Sequence, residues 1–181
     1  MQRRSRTIWI GLGAASAALM LYAWEFSSHA IAHAAMVVLL AYAAAHDAKT
    51  RIIPNWVVAS LASLRLAELG VLAVLDVRGA LDASAASLAG AAAVLAVLLA
   101  TAHLTERTMG SAGIGGGDMK LLGVLGFCFG WEAGLLITGL SCVLMLAHRL
   151  IPRLGKPTAG TFAFAPYIAL ATVAVAFLQA R

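Results

Sequence analysis

AYAAAHDAKTRIIPN, residues 41–55, closes a long apolar run with an aspartate, a short basic loop and a proline-asparagine pair before the next apolar run begins. A second carboxylate, Asp118, stands in a similar place, in GIGGGDMKLLG over residues 113–123. A carboxylate at or inside a bilayer is costly to keep charged, so each marks a functional group whose partner has to be named. The natural partner of Asp47 is Asp118.

The rest of the chain sets the bilayer in place. Of its 181 residues 62% are hydrophobic and 12% charged, and the mean hydropathy is +0.91. A soluble domain has roughly 45–50% apolar and about 25% charged residues, so this is an integral membrane protein. Seven apolar runs are drawn, at 8–24, 30–47, 55–75, 84–104, 117–130, 132–150 and 162–180. The expected fold is all-α, a polytopic transmembrane helical bundle of about seven helices. It divides into an N-terminal helix with its flanks, residues 1–29, and a helical core, residues 30–181. The run at 117–130 is short for a span, and its glycine-rich entry suits irregular backbone, which the membrane tolerates only where protein or a water-filled cavity surrounds it.

The net charge of +5 and the isoelectric point near 9.8 do not point to nucleic acid, because the basic residues lie singly or in short groups between apolar runs. They read as topology signals. A cytoplasmic N-terminus puts ten of them on that side: Arg3, Arg4, Arg6, Lys49, Arg51, Arg107, Lys120, Arg149, Arg153 and Lys156. The opposite loops hold Glu25, Asp76, Asp82 and Glu132, so Asp47 and Asp118 are both expected at the cytoplasmic face. Cys128 and Cys142 lie in apolar runs without zinc-ligand spacing, and no metal or cofactor is expected. The first run follows three arginines as a signal peptide would, but the later spans favour a retained helix.

Each carboxylate stretch has a plain structural use. Glycines accept positive φ and let another backbone approach closely, and a helix N-terminus favours a carboxylate such as Asp118. Pro54 drives Ile53 out of helical geometry, and Asn55 is expected to cap the following helix. Taken singly, these are an ordinary helix entry and an ordinary membrane turn. Arg65 and Glu68, three residues apart on one helical face, are expected to form an internal ion pair. His29 and His33 lack a third ligand for a metal. His46 adjoins Asp47 but points to a different helical face, and Lys120 serves topology, phosphate anchoring or the charge of Asp118.

Together the two stretches resemble the aspartic prepilin peptidase family, which carries one aspartate ahead of an I-P-N turn and a second in a G-x-G-D-x-K-L segment. Here these are Asp47 with Ile53, Pro54 and Asn55, and Gly115-Gly116-Gly117-Asp118 followed by Met119-Lys120-Leu121. A softer similarity is FAFAPY, residues 162–167, which looks like the start of that family's last helix. The resemblance covers residues 30–181 and implies a six-helix peptidase core preceded by one added helix. It implies catalytic roles for Asp47 and Asp118, with Pro54, Asn55, Gly115, Gly116, Gly117 and Lys120 supporting the site or lying near the substrate. The implied substrate is a prepilin or pseudopilin in the bacterial inner membrane. Larger members add a cysteine-rich zinc domain that contributes to methylation of the new N-terminus. This chain resembles the short, peptidase-only members, such as those serving Tad-type pili, for which leader cleavage without methyl transfer is expected.

Two carboxyl groups side by side cannot both ionise cheaply, so one holds a proton while the other is a base. Two other readings fit the composition. A small proton-coupled transporter also uses membrane carboxylates, but here both fall at one face and no inverted repeat relates the halves of the chain. A non-catalytic scaffold of a pilus or secretion assembly would survive the loss of either aspartate.

Overall fold

The computed structural model describes residues 11, 13–18, 28–110, 113–150 and 163–179. Every element among them is helical. A short helical piece over 13–18 (α1) is all that is described of the first expected run. The remaining helices are α2 (Ser28–Thr50), α3 (Asn55–Leu75), α4 (Val77–Met109), α5 (Gly116–Leu150) and α6 (Ala165–Gln179). Four of them, α2 to α5, are long and apolar enough to cross a membrane. The arginines at 3, 4, 6, 153 and 181, with Glu25, Lys156 and Phe162, lie outside the described residues.

The turn after α2 is built by the motif residues themselves. The Arg51 N–H donates to the Asp47 carbonyl at 2.9 Å, and Arg51 takes a left-handed φ of 57°. That conformation costs a non-glycine residue about 1–2 kcal/mol. Pro54, at φ −66° and ψ 130°, then occupies the N-cap position of α3, and its carbonyl accepts the Val57 N–H at 3.1 Å. The expected cap by Asn55 is therefore not made: with Pro54 in the capping place, Asn55 stands one residue inside the helix, and no side chain caps α3.

Helix α4 begins at Val77, ahead of the apolar run expected at 84–104. Asp76 is the reason. Its N–H closes α3 on the Leu72 carbonyl at 2.7 Å, and its carboxylate accepts the Arg78 N–H at 3.1 Å to open α4. At 33 residues α4 is about 50 Å long, well beyond the roughly 30 Å hydrocarbon core. It ends at Gly110, whose left-handed φ of 72° and N–H bond to the Glu106 carbonyl form a C-terminal cap.

Helix α5 is not one rod. Gly130 departs from helical geometry at φ 80° and ψ 179°. A β-carbon added to Gly134 would lie 2.8 Å from the Gly126 Cα, whereas residues eight apart in a continuous helix are separated by about 12 Å. The chain doubles back at Gly130, which divides α5 into arms 116–129 and 131–150, close to the boundary between the apolar runs at 117–130 and 132–150. Gly90 of α4 lies against the same bend, its absent β-carbon 2.8 Å from the Gly130 Cα. Only glycines permit this approach.

The chain forms two compact units: residues 1–53 with 137–181, and residues 54–136. In the first, α2 packs on α6, with Met36, Val37, Leu40 and Ala44 buried on one helix and Ile168, Ala171, Val175 and Ala176 on the other. In the second, α3 packs on α4, burying Val57, Leu61, Val94 and Leu98. Leu66, Val71, Val74, Leu81 and Leu99 on these two helices are exposed, as befits surfaces that meet lipid. Arg65 and Glu68 form the expected ion pair at 3.2 Å, and the Arg65 Nε also donates to the Ser87 hydroxyl of α4 at 3.1 Å. Pairing lowers the cost of both charges inside a membrane.

Candidate active site

Asp47 lies in the last turn of α2, only 4% exposed. Its Oδ2 accepts a hydrogen bond from the Ala165 backbone N–H at 3.1 Å. Ala165 is the first residue of α6; the Phe164 carbonyl before it accepts from Tyr167 at 3.0 Å and from Ile168 at 3.3 Å. The leading N–H groups of a helix have no partner within it. Here the first of them goes to Asp47, the next position is Pro166, which has none to satisfy, and the carboxylate rests at the positive end of α6.

The turn beside Asp47 is tied down by His46. Its Nδ1 lies 2.9 Å from the Ile52 carbonyl and 2.9 Å from the Thr50 hydroxyl. A carbonyl oxygen only accepts, so this nitrogen donates to it. Thr50 in turn donates to the His46 carbonyl at 3.0 Å, and the Tyr42 ring stacks on the imidazole with centroids 6.0 Å apart. His46 thus holds the loop that follows α2.

Asp118 belongs to the second unit and is half-buried at the third position of α5. The Met119 N–H bonds the Gly115 carbonyl at 3.1 Å, which makes Gly115 the N-cap. The Asp118 Oδ2 sits 3.0 Å from where a Gly115 β-carbon would be, so any side chain at 115 presses on the carboxylate. Gly116 faces open space, and Gly117 precedes Asp118 in the helix. This unit also joins the two stretches: the Lys120 Nζ donates to the Asn55 Oδ1 at 3.4 Å. Among the described residues no three His, Cys, Asp or Glu side chains cluster to hold a metal.

These aspartate stretches lie within a span, residues 34–150, that matches the model of the type IV leader peptidase family. The chain belongs to that family. The match takes in well over half of the 181 residues and contains Asp47, Pro54, Asn55, Gly115, Gly116, Gly117, Asp118 and Lys120. No curated protein and no solved structure matches the chain. As a type IV leader peptidase family member it is a membrane-embedded peptidase, with a leader-bearing prepilin-like protein as its class of substrate.

The feature that sequence reasoning missed in this leader peptidase is the Ala165 amide. The sequence points to Asp118 as the partner of Asp47; the structure adds, within the first unit, a backbone partner in the Ala165 N–H. The available signal was the proline in FAFAPY, which marks a helix N-terminus and hence unpartnered N–H groups close by.

Proposed function

We propose that the chain is an aspartic endopeptidase that removes the leader of type IV prepilins or pseudopilins at the cytoplasmic face of the bacterial inner membrane, with Asp47 and Asp118 as the catalytic pair. The observation that carries this reading is that both aspartates occupy motif positions inside the family match. In the reaction one carboxylate takes a proton from a water as the water attacks the scissile carbonyl, and the other, protonated, polarises that carbonyl oxygen and helps the amine leave. The pair titrates as a unit, so the proton belongs to both.

The scissile bond of such a substrate joins a cytoplasmic leader to a membrane helix, and the distribution of basic residues in the sequence favours the cytoplasmic face for both aspartates. A basic leader meets acidic groups such as Glu106, while the lysines and arginines of that face meet anionic lipid. Co-expression with candidate prepilins from the same genome, scored by leader loss, tests the proposal and identifies the substrate. Intact leaders on every candidate would contradict it.

A further inference from the structure

We infer that the N-terminus of α6 is a positioning element for the reaction, with the backbone N–H of Ala165 holding the Asp47 carboxylate in its working orientation. The inference rests on the proposed role of Asp47 and adds a residue that lies outside the family match at 34–150. The geometry is specific: Asp47 Oδ2 and the Ala165 N are 3.1 Å apart, Asp47 is 4% exposed and Ala165 is 1% exposed, so water does not compete freely for either group. A bond from a donor to an ionised acceptor is among the stronger kind. It is also inexpensive for the fold, because the Ala165 N–H is one that α6 cannot use.

The rest of the segment serves the same end. Phe164, at the N-cap, has its carbonyl engaged by Tyr167 and Ile168, which fixes the peptide plane that carries the Ala165 N–H. Pro166 at the second position is preset to helical φ and stiffens the first turn. Within the turn itself, the His46–Thr50–Ile52 contacts and the Arg51 N–H bond hold the end of α2. Asp47 is therefore fixed from two directions, by its own turn and by α6. This matters for chemistry because a displacement of about 1 Å in a reacting group is enough to lose a factor of roughly a hundred in rate.

The test uses the position itself. Ala165→Pro removes the N–H, and proline is well accepted at the first position of a helix. Ala165→Val adds similar bulk and keeps the N–H. Full-length variants are compared with wild type and Asp47→Asn for cleavage of one prepilin, at equal membrane levels. The expected result for Ala165→Pro is a roughly ten- to hundredfold fall in kcat with KM little changed, as suits the loss of a hydrogen bond to a charged group. Ala165→Val is expected to recover most of the wild-type kcat. Wild-type kcat in Ala165→Pro, or an equal fall in both variants, would overturn the inference. If Ala165→Pro does not accumulate, replacing Ala165 by lactic acid removes the N–H with no change of side chain, and the same two results decide. Failure of the proposed function is distinguishable, because wild type itself would then leave the leader in place or Asp47→Asn would remove it.

Discussion

The Oδ2 of Asp47 accepts the N–H of Ala165 at 3.1 Å, a bond that joins the end of α2 to the start of α6 across 118 residues of chain. A buried carboxylate is retained only if something answers its charge. Here the answer is the first turn of a helix that packs along α2, so the packing of two apolar helices and the placement of a polar group are the same event.

Gly115 is expected to be intolerant for a related reason. A methyl group there lies 3.0 Å from the Asp118 Oδ2 and presses it away by a few tenths of an ångström. Gly115→Ala should lower prepilin cleavage about tenfold or more through misplacement of the carboxylate. Gly116→Ala, which meets nothing within 4 Å, should leave the Asp118 carboxylate where it is and lower cleavage less than Gly115→Ala does. Initial cleavage rates and thermal melts in detergent check the pair of variants.

The amount of this legible in the sequence differs residue by residue. Apolar runs and short motifs are properties of the local sequence, so the membrane class, the family and the Arg65–Glu68 pair are legible directly. The bend at Gly130 falls where the runs at 117–130 and 132–150 meet, although nothing in the hydropathy of those runs announces a reversal there. Asn55 does not cap α3 because Pro54 takes the N-cap place, its carbonyl accepting the Val57 N–H, while the Asn55 Oδ1 accepts from Lys120. Hydropathy sets the start of α4 late because it sees apolar residues, whereas Asp76 starts the helix by capping. The Ala165 amide was not legible as a partner of Asp47, since every residue but proline has such a group and only the tertiary packing of α2 on α6 selects this one.

Removing half of the Arg65–Glu68 pair should cost more than removing both members. Glu68→Leu leaves the Arg65 guanidinium uncompensated, with an expected loss of about 3–5 kcal/mol. The double change to leucine should regain much of it. Thermal stability of the purified protein, measured for both single variants and the double, tests this.

The bend at Gly130 gives a prediction about folding. Gly134→Val places a branched side chain against the Gly126 Cα, already 2.8 Å from a bare β-carbon, and is expected to destabilise by at least about 1–3 kcal/mol. Gly139→Ala, with nothing within 4 Å, serves as the tolerated comparison. Membrane accumulation of the two variants should differ clearly.

Cleavage is expected to leave the new N-terminal amine unmethylated when this chain acts alone. Its only cysteines, Cys128 and Cys142, lie in the apolar helix α5 and do not form a zinc-binding motif. Mass spectrometry of the mature pilin, made in a host with no other leader peptidase or methyltransferase, should find a free amine.

The most direct measurement is prepilin cleavage by Asp47→Asn, Asp118→Asn and the double variant, each present in the membrane at wild-type level. If both aspartates serve one acid and base pair, each single change abolishes leader removal and the double is no worse than either, because groups acting as a unit do not add. Substantial cleavage by either single variant would contradict the account.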